Sequence, residues 1–237
     1  IQYLDSDDFL QENAIEYLTD KAEATNAEVV AAPFFFYYSE NKMDISGHFS
    51  FQEMTGMEYF NEILSGRAYW SVWSNFLSRS LFERNDISFV PEISFGEDAI
   101  LMVQLLYHTQ KVVALEQPIL YYRQIESSIC HDITPKRHED LRTYTKWIER
   151  FMIEKGLYES YRNNLILKNI EMAFLCMHWG YYENANKDMK RIVKDIKKRP
   201  QLLKCLPGRQ RKIIKVYRFS SWLGFLNLMH YKKQGKL

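Results

Sequence analysis

Long apolar runs, paired cysteines and low-complexity tracts are all missing from this sequence. No stretch approaches the roughly 20 consecutive apolar residues that cross a bilayer, so no transmembrane helix is predicted. Cys130, Cys176 and Cys205 are odd in number and widely spaced, and no Cys-x-x-Cys occurs. That pattern suggests neither a structural zinc site nor a disulfide framework, and it fits a reducing compartment. No signal-peptide pattern stands at Ile1, and no initiator methionine either, so the chain reads as a protein cut in the middle of a domain. No internal repeat is evident.

What is present suffices for a packed core. Of 237 residues, 46% are hydrophobic and 15% aromatic, enough for one large domain or two small ones and too apolar for disorder. The formal net charge of +1 conceals a split. From Lys187 to Leu237, sixteen Lys and Arg face two acids, Asp188 and Asp195, whereas residues 1–186 hold fifteen cations and 28 acids. Such asymmetry means that the basic end faces an anionic partner.

Along the chain, Ile1 to Leu4 reads as a buried strand, and Asp8 to Ala24 has helical spacing. Glu28 to Tyr38 reads as one buried strand with Pro33 marking a bulge or edge. Ser39 to Ser50 reads as a loop, and Thr55 as the cap of a helix over Met57 to Leu64 that Gly66 ends. Trp70 to Asn85 starts strand-like and turns helical near Ser80. A strongly apolar helix over Ala99 to His108 opens at Phe95-Gly96-Glu97-Asp98. Lys111 to Glu116 and Ile119 to Arg123 are two strands split by Pro118. From about Pro135 only helical periodicities follow, in three or four segments, with breaks at Gly156, Gly180, Pro200 and Pro207-Gly208. The predicted division is therefore a mixed α/β part, residues 1–132, and an all-helical part, residues 133–237.

An apolar run that ends in Asp5-Ser6-Asp7-Asp8 places two carboxylates at a sheet edge, a site for a divalent cation and the phosphate it carries. The tryptophan segment VWSNFLSRSLF, Val72 to Phe82, follows. ISFGEDAILM, Ile93 to Met102, comes next, trailed by ILYYRQIESSI, Ile119 to Ile129. Taken singly, each has a plainer reading. Asp8, Glu97 and Asp98 could be acids complementing a helix N-terminus, Trp70 and Trp73 could be core, and Arg123 could pair with Glu97 or Asp98.

In this order the motifs resemble the family 2 glycosyltransferases with the GT-A fold, over roughly residues 1–129. The resemblance implies an α/β class: the second half of a Rossmann-like nucleotide-sugar transferase domain, here followed by a helical region. It implies that Asp5 contacts the nucleotide, that Asp7 binds Mn or Mg on the diphosphate, and that Asp8 helps. Asp98, with Glu97, stands where such enzymes keep the base that takes the acceptor's proton. Trp73 falls where an aromatic lies beneath sugar or acceptor. Ser74-Asn75 departs from the Asn-Lys often seen there, and one phosphate contact is lost with the Lys. Arg123 lies near the diphosphate, and His131, in the loop holding Ser127 and Ser128, is the candidate late metal ligand beside Asp7 and Asp5.

The resemblance also implies a preceding β-α-β stretch that holds the nucleobase. None of it is in this sequence, so the chain by itself is expected to bind a sugar nucleotide poorly. The expected partners are a nucleoside diphosphate sugar and a hydroxyl acceptor on a growing surface glycan or lipid-linked saccharide. The basic end, Gly208 to Lys233, interleaves Lys and Arg with Ile213, Phe219, Trp222 and Leu226. It reads equally as an interfacial helix on an anionic membrane or as a helix covering the absent half. It lacks a helix-turn-helix pattern, and no nucleic-acid partner is expected. The expected location is cytoplasmic, with a peripheral place at the inner face of the plasma membrane. The other class left open is a non-catalytic scaffold derived from a transferase, docking on membranes or on another subunit.

Overall fold

A computed structural model describes residues 1–49, 51–125 and 133–233. Two compact units divide the chain, Ile1–Ile148 and Glu149–Leu237. The last strand ends at Arg123, near the change of sequence pattern. The packing boundary instead falls inside a long helix, so the first turns of that helix belong to the α/β unit.

Proline explains much of the first unit. Glu28 to Tyr38 is not one strand but two, β2 (Val29–Ala31) and β3 (Phe35–Ser39), in different sheets. Pro33 between them has no N–H to continue a ladder, and its carbonyl instead accepts the Ile119 N–H. Pro118 divides β7 (Val112–Ala114) from β8 (Leu120–Arg123) in the same way. The broken strands pair side by side and parallel, β2 with β7 and β3 with β8.

The first sheet is completed by β1 (Phe9–Leu10), antiparallel to β8, and β4 (Lys42–Ile45), antiparallel to β3. The second is completed by β5 (Glu53–Met54) against β7 and β6 (Asn75–Leu77) against β2, both antiparallel. Helix α1 (Ala14–Thr25) supplies Ala14 and Leu18 to a core with Val30, Phe34, Val113, Ile119 and Leu120. Helix α2 (Gly56–Leu64) starts at Thr55 in a capping box, the Thr55 hydroxyl accepting the Glu58 N–H while Glu58 accepts the Thr55 N–H. Helix α3 is Arg79–Asn85. Helix α4 (Glu97–His108) is buried along Ala99 to Val103, Leu105 and Leu106.

Three expectations in this unit are corrected. Ile1 to Leu4 forms no strand, and Ile1 and Leu4 are exposed; Ile1 exchanges backbone hydrogen bonds with Leu77, and the rest runs free of a ladder. The helix expected from Asp8 starts at Ala14, because Phe9 and Leu10 pair with Tyr121 and Leu120 instead. The loop expected at Ser39 to Ser50 contains β4, which turns back on β3 through Glu40-Asn41. All of β4 is exposed, so it carries no alternation for a period-two reading to find.

In the remaining chain, α5 (Pro135–Glu154), α6 (Tyr158–His178), α7 (Tyr182–Lys198), α8 (Gly208–Phe219) and α9 (Ser221–Lys233) follow, with a 3₁₀ stretch at Pro200–Cys205. Five α-helices thus follow from Pro135 onward among the described residues, not three or four. The added break is Ser220, whose extended backbone separates two helices with no Gly or Pro between them. In the second unit Arg162 bridges Glu159 and Asp195, and Arg191 pairs with Glu149.

Candidate active site

Asp5 and Asp7 flank a tight turn that the Asp8 N–H closes onto the Asp5 carbonyl at 3.1 Å. Both carboxylates are exposed, whereas Asp8 is buried. Asp8 accepts the Arg123 N–H at 2.8 Å through Oδ1, tying the turn to the end of β8. Its Oδ2 is buried and has no hydrogen-bond partner among the described residues. Burial pushes the Asp8 carboxyl up to about 6, with the Asp7 and Asp5 charges adding to the rise and the Arg123 N–H and charge opposing it. The Arg123 guanidinium lies over the Phe9 ring at 5.3 Å. That replaces the pairing with Glu97 or Asp98 considered from the sequence.

Glu97 and Asp98 occupy the first turn of α4, after Gly96 in a left-handed conformation. A Cβ at Gly96 would run into the Tyr144 ring. Asp98 is half-buried and accepts the Val72 N–H at 3.1 Å through Oδ2. This bond joins the helix to the tryptophan segment, where Val72–Ser74 forms a 3₁₀ turn. Burial raises the Asp98 carboxyl to about 7, and the charges of Glu97 and Asp5 contribute. Glu97 is raised as well, first by burial, then by Asp140 and Asp5. Although Asp5 is exposed as a residue, partial desolvation raises its carboxyl, and the Asp7 charge adds to the rise. Burial and the Asp98 charge raise the Tyr3 hydroxyl. The Asp5 turn and the α4 N-terminus therefore share one electrostatic environment, which concentrates negative charge at a partly buried place.

Trp73 is half-buried, stacked on Tyr122 at 5.1 Å and edge-on to Phe34 at 4.7 Å. Asn75 is wholly buried. It accepts the Tyr59 hydroxyl at 3.0 Å and donates to the Ser71 carbonyl at 2.9 Å, so it serves the packing of this segment. His131 lies outside the described residues, as do Ser127 and Ser128.

The donor set here is all oxygen, which suits a hard cation such as Mn or Mg. Among the described residues, no three His, Cys, Asp or Glu side chains form a metal cluster. A cation that takes most of its ligands from a substrate's phosphates needs only one or two protein carboxylates. Exposed Asp7 and Asp5 beside the unpartnered Asp8 Oδ2 fit that case.

Sequence reasoning missed a second layer of residues. Asp140 is buried on α5 and accepts both the N–H and the hydroxyl of Ser94 and the Lys136 ammonium. The Arg137 guanidinium covers the Phe95 ring at 4.2 Å. With Tyr144 on Gly96, these contacts fix the loop that leads into Glu97-Asp98. Only the acidic pair Glu139-Asp140 directly after the basic run Lys136-Arg137-His138 hinted at it.

No protein-family model matches the chain. Over 205 residues it is 23% identical to the uncharacterized glycosyltransferase EpsJ of Bacillus subtilis (strain 168), covering 83% of this chain and 59% of that protein. Among solved structures it is similar to S. aureus TarS. Residues 1–349 of TarS in complex with UDP-GlcNAc match with a TM-score of 0.58 at 14% identity, over 99% of this chain and 68% of that piece. The same piece of TarS in complex with UDP matches with a TM-score of 0.55 at 14% identity, over 99% of this chain and 66% of that piece. The chain has a glycosyltransferase fold with a helical C-terminal region, and it spans 59% of the length of the curated relative it matches.

Proposed function

We propose that the whole protein is an inverting, family 2-type glycosyltransferase. It moves a sugar from a nucleoside diphosphate sugar to a hydroxyl of a growing surface glycan or lipid-linked saccharide. The observation that carries this reading is the coupling of two acidic elements far apart in sequence. The Asp5 charge reaches both Glu97 and Asp98, and Asp98 is held at about 7. A carboxyl so placed is a better base than an ordinary aspartate while still ionised near neutrality.

In this mechanism Asp98 takes the proton of the acceptor hydroxyl as its oxygen bonds to C1 of the sugar. The bond from C1 to the diphosphate oxygen breaks, its electron pair leaves with the nucleoside diphosphate, and C1 inverts. A Mn or Mg ion, when bound, would neutralise charge on the departing diphosphate. Asp7 would hold it, with Asp5 and His131 as further candidates. Asp5 and Arg123 would face the nucleotide, and Trp73 the sugar. Residues 1–132 are assigned the transfer chemistry and residues 133–237 an accessory role.

UDP-GlcNAc is the first donor to test, since a TarS structure holds it. The whole protein should bind UDP in a manganese-dependent way by calorimetry. Asp7→Asn should lose that binding; Asp98→Asn should keep it and lose transfer. Binding indifferent to manganese, or normal transfer by Asp98→Asn, would overturn the assignment.

A further inference from the structure

We propose that the corner between α8 and α9 docks the protein on an anionic lipid bilayer. Phe219 ends α8 and is 86% exposed. Trp222, Leu223 and Leu226 open α9 and are 68%, 38% and 45% exposed. Among the described residues of the second unit, the only other large exposed apolar side chain is Ile153. The exposure is thus concentrated in eight residues rather than scattered singly, which is what distinguishes a docking patch from ordinary surface.

The helices are built to present it. In α8, Ile213, Ile214 and Tyr217 are buried, so the opposite face carries Lys212, Lys215 and Phe219, at helical spacing and all exposed. In α9, Gly224 and Leu228 face inward, Gly224 lying so close to Tyr217 that a Cβ would collide with it. That contact turns Trp222, Leu223 and Leu226 outward. Ser220 between the helices has an extended backbone, and it brings Phe219 and Trp222 to one corner.

Charge decides the occupant. No acidic residue follows Asp195 in the sequence, and Lys212 and Lys215 are exposed on the face of α8 that leads to Phe219. A second copy meeting this corner through the same face would bring like positive charge against itself. A nucleic-acid duplex, its bases already stacked inside, would meet the lysines and leave the phenyl and indole rings in water. An anionic bilayer surface satisfies both at once: aromatic rings settle at the headgroup level while lysines meet lipid phosphates. Among the described residues no helix is long and apolar enough to cross a membrane, so the contact is interfacial. This inference does not rest on the transfer reading.

The test is co-sedimentation of the whole protein with vesicles of phosphatidylcholine alone and of phosphatidylcholine mixed with phosphatidylglycerol. Binding is expected only to the mixed vesicles and should weaken with salt. The pair Phe219→Ser and Trp222→Ser, and separately the pair Lys212→Glu and Lys215→Glu, should each weaken it by about tenfold or more. Melting temperature should hold in both, since all four side chains are exposed. Equal binding to neutral vesicles, no binding to either, or wild-type binding by both pairs would overturn the proposal. So would concentration-dependent self-association without lipid that Phe219→Ser and Trp222→Ser abolish, since that would assign the patch to a second copy.

Discussion

The Asp140 carboxylate accepts the Ser94 N–H at 3.1 Å and the Ser94 hydroxyl at 2.9 Å through a single oxygen, Oδ2. Its other oxygen receives the Lys136 ammonium. Burial raises the Asp140 carboxyl, but these bonds outweigh burial and leave it below its ordinary value. A helix beyond the last strand thus holds the loop three residues ahead of Glu97.

Asp140→Ala should therefore cost roughly 1–3 kcal/mol of stability, because the buried acceptor of three hydrogen bonds, one of them charge-assisted, is lost. In the whole protein it should lower kcat more than it raises KM for the donor, since it displaces Asp98 without touching the Asp5 turn. Urea melts and initial rates check both. Ser94→Ala, which keeps the backbone bond, should have the smaller effect.

Gly96→Ala should be costlier than an ordinary helix-cap change. Gly96 has φ 86° and the Tyr144 ring stands against it. Left-handed strain and a steric clash together suggest roughly 2–4 kcal/mol. In a Tyr144→Ala background the clash is relieved and the two changes should be less than additive, which a double-mutant cycle would measure.

Transfer by the whole protein should increase with pH through a midpoint at or below about 7. Asp98 must be ionised to accept a proton, and burial holds its carboxyl at about 7. Initial rates across the neutral range test this; a profile flat from acid to neutral pH would assign the base elsewhere.

The same burial has a linked cost in stability. A carboxyl raised from 3.8 to about 7 favours the folded state in its protonated form. That contribution is complete below the ordinary value and is lost as pH rises through about 7; Asp8, at about 6, acts in the same direction. Asp98→Asn should therefore stabilise the fold at slightly alkaline pH by about 1–2 kcal/mol, and much less near pH 4. Thermal melts at the two pH values decide it.

The motifs were legible because each is local. Thr55 and Glu58 cap a helix three residues apart, and Pro118 splits two strands wherever they pack. The electrostatic coupling of Asp5 with Asp98 was legible only through the family resemblance of the ordered motifs, since nothing in either segment encodes the other. Strands failed where burial left no signature. Exposed β4 has no apolar face, and Phe9 and Leu10 resemble the start of α1 until Tyr121 and Leu120 claim them.

By itself the sequence determined composition-level and short-range features: an α/β portion followed by helices, a capped α2, the proline breaks and a basic end. These depend on propensities and bonds spanning a few residues, which any partner would leave unchanged. Tertiary structure decided which strands share a sheet, that Asp8 turns inward to Arg123 while Asp5 and Asp7 stay exposed, and that Val72 and Asp140 support the α4 N-terminus. Those are long-range contacts, and the desolvation that raises Asp98 exists only once the chain around it has closed.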